Sequence, residues 1–325
     1  MSHFLDPERL AERRRRNFLQ SVLLICGMSA IAMTSAYLIW SWPGALAALA
    51  MVVGLSFFGP RMPPETVMRL YHGVPVYTRH GAELHRIVEV LADRAELERH
   101  PRLFVIPSTT MNAFATGSRW NAAIGITEGL LRRLELREIA AVIAHEMSHI
   151  RNNDLHVMAM ADVLTRFTQV LAYLGLMLAV LNIPALIFDL EGFSWVAIGL
   201  LYLAPMLASL MQLCLSRTRE YDADLDAAGL TGDPAGLASA LATLERTQGR
   251  FWEDLALPVP ARRIPYPSVL RSHPETAERI LRLQEIERRP HAVRPIVFGD
   301  HPVFTLVGHG PSGMAPRYRP FGLWY

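Results

Sequence analysis

The sequence predicts an α+β membrane protein: two transmembrane helical hairpins and, on one side of the membrane, a mainly helical domain with a small antiparallel sheet. Three observations predict it. Four long apolar runs fall in two pairs. Arginines flank each pair and are missing from the two tips inside the pairs. Outside the pairs, charged segments with helical period alternate with a few short β-rich stretches.

Composition agrees. The chain has 325 residues, 51% of them hydrophobic, with a positive mean hydropathy. All 32 basic residues are arginine, which excludes a mechanism built on a catalytic lysine. A net charge of +2 gives no global basic field, so no nucleic acid partner is expected. Cys26 and Cys214 both lie in apolar runs, so no disulfide framework is expected.

Residues 1–16 form a charged arm ending in "ERRRR". Residues 17–60 carry no charge and no histidine. As one helix they would be about 66 Å long, twice the hydrocarbon thickness, and the "WPG" at Trp42–Gly44 is a turn signal. That predicts the first hairpin, with crossings at about 17–42 and 44–60. In residues 61–166, "RLFVI" (102–106), "MNAFAT" (111–116) and "NAAIGI" (121–126) read as strands. Thr127 can cap a helix, and a buried helix follows from near Glu135. Residues 167–215 hold the second hairpin, whose two uncharged runs are separated by Asp189 and Glu191. Residues 216–290 read as a helix through "EYDADLDAAGL" stopped by "TGDP", a helix at about 235–248, a Pro-rich loop (256–267) and a helix after "SHPE". The tail 291–325 shows little period. By the positive-inside rule both tips face outward, and both termini, with 61–166 and 216–325, are cytoplasmic.

"AAVIAHEMSHIRNND" (140–154) carries the chemistry. His145 and His149 are one helical turn apart, so both imidazoles leave one face about 6 Å apart and can reach one ion. Glu146 is rotated about 100° from His145, where it can take a proton from a water on that ion. A third ligand is needed. On a continuous helix His156 would stand about 10 Å beyond His149, too far to share the ion. Glu220 and Asp224, one turn apart in "SRTREYDAD", are better placed: one can bind the metal while the other orients an imidazole. Two crossings between His149 and Glu220 return them to one side of the membrane.

HExxH followed by a distant ExxxD across a membrane hairpin resembles the HtpX family of membrane zinc metallopeptidases, gluzincins related to CAAX-processing prenyl endopeptidases. "MNAFATG" (111–117), "TEGLLRRL" (127–134), "AAVIAHEMSHI" (140–150), "SRTREYDAD" (216–224) and "SHPETAERI" (272–280) carry the resemblance, in the family's order. It implies a gluzincin-type catalytic domain with one Zn²⁺ held by His145, His149 and Glu220, and Glu146 as general base. It also implies Asp224 behind a ligand, Asn112 on the substrate-binding edge, and His273 near the oxyanion, with Arg279 completing that segment. The expected activity is endopeptidase cleavage of unfolded or membrane-protein polypeptides, in quality control at the inner membrane. A prenyl-protein-type processing protease and a non-catalytic membrane scaffold are the alternatives. The former would want more membrane helices; the latter would be expected to have lost Glu146 or a ligand.

Overall fold

Helix α1 (Pro7–Phe58) takes in the first apolar run, in a computed structural model that describes residues 7–58, 63–77, 81–188, 192–254, 276–287 and 295–296. Inside α1, Ser41 leaves helical geometry at φ 57, ψ −146, two residues before Pro43. The chain doubles back there. A Cβ on Gly44 would stand 2.4 Å from the Ala36 carbonyl oxygen, whereas eight residues of straight helix span about 12 Å. Only glycine permits that approach.

The other two long helices, α6 (Asp154–Ile187) and α7 (Trp195–Thr231), follow four shorter helices and the sheet in the chain, α2 to α5 and β1 to β4. Asn182 fastens α6 to the start of α7: its Nδ2 donates to the Phe193 carbonyl and its Oδ1 accepts from the Phe193 amide, each at 2.7 Å. Among the described residues, segments of α1, α6 and α7 are long and apolar enough to cross a membrane. Small residues line their contacts. Ala32 and Ala208 share one buried cluster, and Ala36 and Ala48 another with Leu171 and Leu201. Large apolar side chains such as Tyr173, Val196 and Tyr202 point outward. This is the pattern of helices packed by close backbone approach and surrounded by lipid.

Between α1 and α6 come α2 (Pro64–Leu70), β1 (Val74–Pro75), α3 (Ala82–Arg94), β2 (Arg102–Ile106), β3 (Ala113–Ser118), β4 (Asn121–Thr127), α4 (Glu128–Leu131) and α5 (Leu136–Arg151). After α7 come α8 (Pro234–Asp254) and α9 (Thr276–Glu287). The sheet is mixed, which corrects the antiparallel expectation. Its order is β1-β2-β4-β3, with β2 and β4 parallel and the other two pairs antiparallel. The reason is the path of β3. It runs back along the sheet, so β4 starts at the same end as β2 and slots between β2 and β3. β4 is an interior strand, and six of its seven residues are buried. β3 is an edge strand and pairs, among the described residues, with β4 alone. At its end Gly117 has φ +99, and a Cβ there would meet the Asn121 carbonyl at 2.2 Å and Pro64 of α2 at 2.6 Å.

Helix α5 is the hub. Glu135 and Glu138 form a capping box at its start, satisfying amides that would otherwise lack partners. Ile139, Ile143 and Met147 pack in one core with Ile124 and Ile126 of β4 and Ala227 of α7. Thr127, at the end of β4, caps α4 through Leu130 N and also accepts from Asn112 N at 2.9 Å. One hydroxyl therefore fixes the start of both α4 and the edge strand. Helix α7 ends at Gly232, whose φ of 70 closes it in the left-handed conformation, where "TGDP" was expected to stop it. His273, the 256–267 loop, Glu191 and the tail except Pro295 and Ile296 lie outside the described residues.

Candidate metal centre

His145 and His149 project from α5 as the spacing predicts, and α7 lays Glu220 across them. Ligand atoms of the three lie within 4.8 Å of one another. The two Nε2 atoms are 3.3 Å apart. Glu220 Oε2 is 3.3 Å from His145 Nε2, and Oε1 is 3.7 Å from His149 Nε2. All three residues are buried.

Behind each imidazole stands a carboxylate. Asp224 Oδ1 is 3.1 Å from His145 Nδ1. Asp154 Oδ2 is 2.9 Å from His149 Nδ1. These partners assign the proton of each neutral ring to Nδ1 and leave a lone pair on Nε2. Two lone pairs and a carboxylate then converge on one point in the interior. Such a donor set repels itself unless a cation lies between, and two imidazoles with one carboxylate suit zinc. The residues present fit a metal.

Each carboxylate is in turn held by an arginine. Arg279 of α9 forks onto Asp224 with two hydrogen bonds of 2.6 Å and reaches Glu220 Oε2 at 3.5 Å. Arg219 of α7 pairs with Asp154 Oδ1 at 2.9 Å. Burial disfavours a charged His145, but the Asp224 and Glu220 carboxylates outweigh it and lift the imidazole to about 10, so the site favours a positive charge at Nε2, either a proton or a metal ion in its place. Burial pushes the Glu146 carboxyl above its ordinary range, against the two imidazoles that pull it down. Glu146 does not join the three-residue group. Its Oε2 accepts from the Ala115 amide of β3 at 2.9 Å, so the carboxyl sits between the histidine pair and the edge strand.

Of the expected residues, His145, Glu146, His149, Glu220 and Asp224 come together. Asn112 stands one residue ahead of β3, its amide held by Thr127. His156 lies in the first turn of α6, half-buried and outside the cluster. The helix does break before it, at Asn153 with φ 58, but the break turns Asp154 towards His149 instead. The sequence reading missed Asp154 and Arg219. The one signal was polar "NND" directly after the histidine helix, which marks a break without saying which side chain points back.

The chain matches the model of peptidase family M48 over residues 78–287. Among its relatives is a protein named "Protease HtpX homolog" from Desulfatibacillum aliphaticivorans, 34% identical over 282 residues, covering 82% of this chain and 89% of the relative. A second of that name, from Pyrococcus furiosus, is 35% identical over 274 residues, covering 81% of this chain and 94% of the relative. The crystal structure of S. mikatae Ste24p is similar at a TM-score of 0.45 and 21% identity, covering 87% of this chain and 67% of that one.

Proposed function

Since the chain belongs to peptidase family M48 and is a membrane zinc metalloprotease of the HtpX kind, we propose that His145, His149 and Glu220 hold one Zn²⁺ per chain and that Glu146 is the general base of peptide hydrolysis. The observation that carries this is the convergence of the three ligand atoms within 4.8 Å, beside a carboxyl that is not one of them. Zinc bound there supplies a Lewis acid for water and the scissile carbonyl. The remaining steps belong to the chain. Asp224 and Asp154 keep a proton on each Nδ1 and fix the ring planes. Glu146 takes a proton from the attacking water and returns it to the leaving amine nitrogen. Its raised carboxyl favours the first transfer, since a carboxylate that binds a proton more tightly is the stronger base, and the Ala115 amide keeps it aimed.

Strand β3 binds the substrate main chain as an added strand, with Asn112 helping at its upstream end. Recognition through the backbone suits unfolded segments of varied sequence, which supports misfolded and membrane-protein polypeptides as substrates, in quality control. His273 stabilises the oxyanion in this reading, as the family resemblance implies.

The chain divides into the arm 1–16, hairpins 17–60 and 167–215, catalytic parts 61–166 and 216–290, and the tail 291–325. Two hairpins are supported by the reversal at Ser41 and Gly44 and by the Asn182–Phe193 fastening between α6 and α7. The arginine distribution supports the cytoplasmic membrane, with the catalytic parts and both termini inside.

The test is zinc stoichiometry and casein cleavage on the same detergent-purified preparation. Glu146→Gln should keep about one zinc and lose hydrolysis by at least about 10²-fold. Glu220→Ala should lose the zinc, and His156→Ala should match the parent. An active Glu146→Gln protein sinks the mechanism; zinc lost from His156→Ala but kept in Glu220→Ala sinks the ligand set.

A further inference from the structure

The two imidazoles are backed differently. Asp224, behind His145, is held by Arg279 from α9. Asp154, behind His149, is held by Arg219, whose second guanidinium nitrogen donates to Ser21 Oγ of α1 at 2.6 Å. Ser21 is buried and stands near the start of the first apolar run. The Arg219 and Asp154 side chains are only 12% and 2% exposed. An unbroken line therefore runs from a membrane helix to a metal-binding ring: Ser21, Arg219, Asp154, His149.

The contact belongs to a longer antiparallel packing of α1 on α7. Gly27 lies against Met211, and a Cβ at Gly27 would stand 2.3 Å from Met211 Cε. Further along, Ala36 of α1 and Leu201 of α7 share one buried cluster. The residue numbers of these pairs fall on α1 as they rise on α7, with Ser21 and Arg219 at the end of the series nearest the metal centre. Arginine suits the task, since its planar fork can engage two partners at once and its charge is permanent.

We propose that Arg219, braced by Ser21, is a positioning residue that orients His149 through Asp154, so that the seating of α1 against α7 sets the affinity and efficiency of the metal site. This rests on the zinc-site reading above. Arg219 touches neither substrate nor metal; it holds the carboxylate that holds the ring.

The experiment measures zinc affinity by chelator competition and turnover per zinc-loaded molecule, on the full-length protein in detergent. Arg219→Gln should weaken zinc binding by about 10–100-fold, the usual effect of losing a partner behind a ligand. Arg219→Lys should not restore it, since one ammonium cannot span Asp154 and Ser21. Ser21→Ala removes one hydroxyl without changing the helix and should weaken binding by about three- to tenfold. In the Arg219→Gln background, Ser21→Ala should add nothing, because its effect passes through Arg219. Additive losses, or a Ser21→Ala protein with the parent's zinc affinity, overturn the relay while leaving the metal site standing. A parent that binds no zinc overturns both.

Discussion

Arg279 shows how much rests on one side chain at the metal centre. It is 4% exposed and gives both arms of its fork to Asp224, which is 5% exposed and faces His145. Arg279→Gln leaves a buried carboxylate without its counter-charge, a change that costs about 3–5 kcal/mol. The expected outcome is a lower denaturation midpoint together with zinc affinity reduced about 10–100-fold. Arg279→Lys should recover little of either, because a point charge cannot replace a two-armed contact. Unchanged zinc affinity would show that Asp224 keeps His145 aligned alone. The residues that helical spacing could place were legible in the sequence: His145, His149, Glu220 and Asp224 follow from one-turn intervals on two helices. Asp154 was not, because its direction depends on a left-handed Asn153 between two helices. No periodicity encodes a break angle.

The elements show the same division. Stretches 102–106 and 121–126 were legible as strands, and the structure has Arg102–Ile106 and Asn121–Thr127. Their mutual direction was not, because parallel pairing of β2 with β4 is a long-range choice made by the return path of β3. That path runs through Gly117, paired with Ala122 just ahead of the turn at Arg119 and Trp120. Gly117→Ala would force a Cβ into the Asn121 carbonyl and Pro64, at a φ that side chains rarely adopt. A destabilisation of at least about 1–3 kcal/mol is expected. Cleavage of long peptides should suffer more than zinc binding, because the edge strand moves and the α5 ligands do not. Chemical denaturation and the two functional measurements check this, and a variant with parental stability would contradict the close approach at Gly117.

At the scale of the whole molecule, apolar runs were legible because a bilayer sets a fixed length for any helix that crosses it. A reporter active only outside the cytoplasm should work when placed after Glu191 or beside Pro43, and stay silent after Tyr325. Activity after Tyr325 would mean an odd number of crossings. What the sequence hid is that the last apolar run and the "EYDADLDAAGL" helix are one. Charge begins at Arg217, which invited a boundary at 216, yet α7 continues through it to Thr231. An uninterrupted rod of this kind is a ruler. Glu220 stands four residues past Ser216, so it is held about 6 Å above the end of the apolar run. An extended substrate rises about 3.3 Å per residue, so a membrane-anchored chain reaches that height about two residues after leaving the hydrocarbon. Cuts should therefore cluster at a set distance from the bilayer, whatever the sequence found there.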